Sequence, residues 1–132
     1  MVTLVCGMPG TGKSTYVKQH IGDGVAYDLD ALAAAFRLKE PHEEYHDAAR
    51  HMANDLLKGF VKKAAEYSSD IWVIRTAPTL QEVKDINPLR VVICMVRYVK
   101  RPCGETTRRK LMELAEWCEC NGISLEYMPR KN

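Results

Sequence analysis

The sequence predicts an α/β protein with a five-stranded parallel sheet covered by helices on both faces. Three observations carry that expectation. Short apolar runs alternate with segments of helical periodicity along the chain, the pattern of repeated strand–helix–strand units. The first apolar run leads straight into a glycine-rich loop and then a helix. The residues suited to chemistry follow the strand ends, where ligands collect in such sheets.

The elements follow in order. Thr3-Leu4-Val5-Cys6 reads as a buried parallel strand. Behind it, Gly7-Met8-Pro9-Gly10-Thr11-Gly12-Lys13-Ser14 is a complete G-x-x-x-x-G-K-[ST] loop, continued by Thr15. Lys13 to Ile21 reads as a helix, with Val17 and Ile21 four apart. The glycines let successive amides point inward at phosphate oxygens, and the helix start adds partial positive charge there. The motif therefore implies a bound nucleoside triphosphate, with Lys13 bridging its β- and γ-phosphates and the Ser14 hydroxyl on Mg²⁺.

Gly22-Asp23-Gly24 is a turn, and Val25-Ala26-Tyr27 a short strand ending at Asp28. Asp30 is placed to cap a helix over Ala31 to Leu38, broken at Glu40-Pro41. One long helix is expected from His42 to Tyr67, with Tyr45, Ala49, Met52, Leu56, Phe60 and Ala64 as its apolar stripe. Ile71 to Ile74 is the next strand, closing on Arg75-Thr76. Thr79 caps a short helix to about Asp85, and Asn87-Pro88 turns into a strand over Val91 to Val96. A basic stretch follows, from Arg97 through Lys100, Arg101, Arg108 and Arg109 to Lys110. Thr106 to Cys120 reads as a helix capped by Asn121-Gly122, and Ile123 to Met128 as an edge strand.

The totals set limits. A chain of 132 residues with 46% hydrophobic and 27% charged residues is expected to form one ordinary globular domain. Its net charge of +2 does not announce nucleic-acid binding. No apolar run reaches membrane-spanning length, and no signal peptide is legible. Five cysteines without C-x-x-C spacing suit a reducing cytoplasm. Cys6 and Cys94 read as core residues; Cys118 and Cys120 lack a companion pair for a metal. His42-Glu43-Glu44-Tyr45-His46 matches H-E-x-x-H, but Ala49 and Met52 stand where the extended zinc motif has Gly and His. A solvated helix start is the better reading.

Tyr27-Asp28-Leu29-Asp30 brings two carboxylates to a strand end beside the phosphate loop. Phosphoryl transfer to a hydroxyl needs in-line positioning, charge neutralisation and a group that orients the acceptor. One carboxylate can hold Mg²⁺ through water while the other accepts the proton. Helix capping and turn formation are the plainer roles for the same residues.

The phosphate loop, the Asp-x-Asp and the basic segment together resemble the small P-loop kinases. The likeness is nearest to the kinase domain of polynucleotide kinases and related phage-type P-loop ATP-binding proteins; shikimate-type kinases share the Asp-x-Asp. The resemblance implies a three-layer P-loop NTPase fold with sheet order 2-3-1-4-5, and ATP with Mg²⁺ as cofactors. It implies Asp30 as the acceptor-orienting base, Asp28 beside Ser14 as an outer-shell metal ligand, and Lys13 with lid arginines neutralising the migrating group. Arg101 and Arg108 are the lid candidates, with Gly104 as hinge. The same segment also reads as a solvated helix face, with Glu105 and Arg109 at i,i+4.

Two departures stand out. The strand beside the phosphate loop ends in Arg75 where many P-loop proteins have an acid, leaving the metal to Ser14 with Asp28, or to Thr76, and freeing Arg75 for a phosphate. The basic residue that polynucleotide kinases carry just after the base is replaced by Ala31-Leu32-Ala33, with Arg37 a turn further on. The expected function is a kinase moving the γ-phosphoryl group to a hydroxyl of a nucleoside, a nucleotide or a nucleic-acid 5′ end. The alternative is an ATP-binding or weakly hydrolysing module acting through a partner or a nucleic acid.

Overall fold

In the computed structural model the described residues are 1–8, 10–41, 43, 46–95 and 105–129. Five strands, β1 (Val2–Gly7), β2 (Val25–Asp28), β3 (Ile71–Arg75), β4 (Arg90–Met95) and β5 (Ser124–Pro129), form one sheet in the order β2-β3-β1-β4-β5. Every pairing is parallel. The expected order 2-3-1-4-5 is therefore the observed one. The helices are α1 (Lys13–His20), α2 (Leu29–Phe36), α3 (Asp47–Asp55), α4 (Leu57–Ala65), α5 (Leu80–Ile86) and α6 (Glu105–Asn121).

Strand residues alternate between two cores, as the pleat requires. On one face Leu4, Cys6, Val73, Val91 and Ile93 pack with Leu57, Ala64, Val83, Ile86, Leu114 and Cys118 from α4, α5 and α6. On the other, Val5, Trp72, Ile74, Val92 and Cys94 meet Tyr16 and Val17 of α1. Burying both faces explains why the central strands are almost wholly apolar. A third, small-residue cluster of Ala33, Ala49 and Ala53 joins α2 to α3. No helix among the described residues is long and apolar enough to cross a membrane.

The long helix expected over His42 to Tyr67 is instead two helices meeting at Leu56, and it begins only at Asp47. His46 caps α3, its Nδ1 accepting from the Ala49 amide at 3.2 Å. His42, Glu44 and Tyr45 lie outside the described residues. The packing partners explain the break. Ala49 and Ala53 let α3 approach α2 closely, whereas Leu57 and Ala64 of α4 pack on the sheet. One straight apolar stripe cannot serve both surfaces, and Met52 and Leu56 of the expected stripe are exposed.

A second correction concerns α2. Asp28, not Asp30, is its cap, and the helix runs from Leu29 to Phe36 rather than from Ala31 to Leu38. Leu38 lies beyond it in the left-handed region at φ 56°. Thr79 does cap α5, in a capping box with Glu82.

Candidate active site

The loop after β1 is built by backbone geometry. Gly10 and Gly12 have φ of 78° and 85°, and Gly12 caps α1 from the left-handed region. The buried Thr11 hydroxyl donates to the Met8 carbonyl at 2.8 Å, tightening the curl. Gly7 is the closest approach: a Cβ there would lie 2.5 Å from the Cys94 carbonyl oxygen and 2.9 Å from Thr11 Oγ1. Its φ of 152° is also one that L side chains rarely adopt. Gly7→Ala is expected to destabilise the fold by about 3 kcal/mol or more, combining backbone strain with overpacking. Urea melts of the two proteins check this.

Lys13 reaches back over the loop and donates to the Gly7 and Met8 carbonyls at 2.7 and 3.0 Å. Burial holds its pKa below the ordinary 10.5, with Cys94, Cys6, Asp30 and Asp28 pulling the other way. The thiols give little help at neutral pH, because burial pushes Cys94 up to about 11 and Cys6 further still. Among the described residues, the ammonium is therefore a partly desolvated cation balanced by carbonyl dipoles and two nearby carboxylates. An incoming polyphosphate would complete its charge balance.

Parallel pairing sets β1, β2 and β3 side by side, so the loop and the Asp-x-Asp open onto the same edge of the sheet. Ser14 donates its hydroxyl to Asp28 Oδ2 at 3.2 Å. The other Asp28 oxygen accepts from the Asp30 and Ala31 amides at 3.1 and 3.3 Å. One carboxylate thus starts α2 and faces the start of α1. Hard oxygen donors so arranged suit Mg²⁺, which commonly keeps several waters and takes only one or two protein ligands beside substrate phosphates.

Asp30 points into a cavity of about 210 Å³ lined by Lys13, Asp28, Arg50, Arg75 and Thr76 among others. Arg50 of α3 forms an ion pair with Asp30 there. Arg75 also borders the cavity, with its guanidinium held by Glu82 and by Asn54 Oδ1, the latter at 2.9 Å. The expected site residues Gly7, Lys13, Ser14, Asp28, Asp30 and Arg75 are thus brought together. Thr15 is exposed on the first turn of α1, and Arg108 is exposed near the start of α6. Pro9, Arg101 and Gly104 lie outside the described residues. The pair described on α6 is Arg109 with Glu113, at 3.9 Å.

Sequence reasoning missed Arg50, Asn54 and Glu82. The first two lie on an ordinary polar helix face, and no local pattern links them to Asp30 or Arg75. The Thr79-x-x-Glu82 spacing is a capping-box pattern that could have singled out Glu82, but nothing local signals its pairing with Arg75.

A family model described as an AAA domain matches residues 2–121. The chain belongs to that family. The AAA domain here has no match among curated proteins. Among solved structures it is similar to a candidate kinase from Chloroflexus aurantiacus J-10-fl, with 13% identity and a TM-score of 0.60, over 97% of this chain and 84% of the other. It is also similar to an unliganded sugar kinase from Janibacter sp. HTCC2649, with 12% identity and a TM-score of 0.53, over 99% of this chain and 86% of the other. At these identities the likeness is one of fold, and the fold is P-loop kinase-like.

Proposed function

We propose that this AAA domain is an ATP-dependent phosphotransferase that moves the γ-phosphoryl group to a hydroxyl of a nucleoside, a nucleotide or a nucleic-acid 5′ end. One observation carries the reading: Lys13 and Asp30 face the same cavity, a phosphate-side cation opposite a carboxylate able to orient an acceptor. In this proposal the loop from Gly7 to Thr15 cradles the triphosphate through its amides from Gly10 onward, and Lys13 offsets charge on the outer phosphates. Mg²⁺, held by Ser14 and by Asp28 through water, supplies further charge neutralisation when bound. Asp30 accepts a hydrogen bond from the acceptor hydroxyl and takes its proton as the new O–P bond forms and the bond from the γ-phosphorus to the β–γ bridging oxygen breaks, releasing ADP. Arg108, and Arg101 from the segment before it, serve as the closing cations.

A second reading has its own support. Arg75 stands where an acidic residue commonly helps hold the metal, and it is already paired with Glu82 and Asn54. An ATP-binding or slowly hydrolysing module acting through a partner would be consistent with that arrangement.

Incubation with γ-labelled ATP and a panel of nucleosides, 5′-hydroxyl oligonucleotides and small hydroxy metabolites separates the two. The phosphotransfer reading expects label on a panel compound. Label appearing only as free phosphate would replace it with the second reading.

A further inference from the structure

The acceptor-side carboxylate is not left to choose its own rotamer. Asp30 is at the second position of α2, and a residue from another helix engages it: Arg50, on α3. We propose that Arg50 is a positioning residue that fixes the Asp30 carboxylate toward the acceptor, with α3 acting as a docked brace. The inference rests on the phosphotransfer reading and adds to it a residue that the local sequence does not signal.

Three features hold the brace in place. Ala49 and Ala53 on its inner side are buried against Ala33 of α2, the helix that carries Asp30. The Ala53 carbonyl accepts a hydrogen bond from the Tyr27 hydroxyl, tying α3 to the strand that leads into the Asp-x-Asp. One turn beyond Arg50, Asn54 accepts from Arg75 at 2.9 Å, tying α3 to the end of β3. Arg50 and Asn54 thus project from the same helical face, and each meets a charged residue at the cavity.

The chemistry favours a guanidinium here. A carboxylate that must accept a hydrogen bond from a neutral hydroxyl needs one oxygen aimed at it and its charge retained. A planar fork held by a packed helix constrains the carboxylate better than a mobile ammonium would. Both side chains are about one-third exposed, at 33% for Arg50 and 34% for Asp30. The pair therefore adds little to stability, and its value is in orientation.

Two measurements test this. The side-chain carboxyl ¹³C resonance of Asp30, assigned by its disappearance in Asp30→Asn, is expected to move in Arg50→Gln while the rest of the spectrum stays folded. On whichever panel compound accepts label, Arg50→Gln is expected to lower kcat about tenfold to a hundredfold and to leave KM for ATP within about twofold, the mark of a misplaced group. Arg50→Lys should fall between the two proteins. An unmoved resonance, or an unchanged kcat, would overturn the assignment. If the unsubstituted protein labels no panel compound, the phosphotransfer reading falls, and the resonance experiment alone decides whether Arg50 holds Asp30.

Discussion

Lys13→Ala is expected to weaken Mg–ATP binding by on the order of a hundredfold or more and to end turnover, because it removes two or more charge-assisted hydrogen bonds of ~1.5–3 kcal/mol each. The structure shows why the loss would be selective. Among the described residues the ammonium donates to the Gly7 and Met8 carbonyls, and it is already disfavoured by burial. Deleting it removes a desolvated charge while Asp30 keeps Arg50 and Asp28 keeps its hydroxyl and amide donors, so the variant should melt no lower than the parent. Titration calorimetry with Mg–ATP and a thermal melt on the same samples check both halves. Binding within a few-fold of the parent protein would mean that the amides alone hold the ligand.

The lowered pKa of Lys13 also sets the sign of two pH effects. Phosphate prefers the protonated lysine, so affinity should fall as pH rises through its folded pKa, below 10.5. Fold stability should respond in the opposite sense. Between that pKa and 10.5 the unfolded chain binds more protons, so this group's contribution to stability grows with pH.

The second large effect is expected at Asp30. Asp30→Asn keeps the shape and a hydrogen-bonding oxygen but removes the charge and the capacity to take a proton. Transfer should fall by about 10²–10⁴-fold, the range typical of a lost general base. ATP affinity should hardly change, because the loop and Lys13 are untouched. The fold should persist as well, since Asp28 rather than Asp30 caps α2 and the Arg50 pair is partly exposed. Single-turnover transfer of γ-label, run beside ATP titration, reads the two quantities separately. Undiminished transfer would remove Asp30 from the chemistry, whereas loss of both binding and transfer would point to a collapsed site.

Much of the architecture was legible because it is written over short distances. Val5, Ile74 and Val92 sit in apolar runs whose length and composition suit buried parallel strands, and they are buried. The spacing of Gly7, Gly12, Lys13 and Ser14 encodes a loop whose glycines take backbone angles that other residues avoid, so the motif carries its own conformation. Thr79 marked a helix start from its local sequence, and it caps α5. Sheet order came from the family resemblance rather than from any such local rule.

What only the tertiary structure decided lies between segments. Asp28 and Asp30 are two residues apart and chemically identical; which one caps α2 depends on how β2 enters the helix and on what waits across the cavity. Arg50 waits there, twenty residues along the chain, because alanine packing brings α3 against α2. The same packing splits one helical period into α3 and α4, and the fold also turns Arg75 toward Glu82 and Asn54. By itself the sequence determined a phosphate-gripping loop on a parallel sheet. Folding determined which charges meet around it, since periodicity and backbone preference act over a few residues while an ion pair needs only nearness in space.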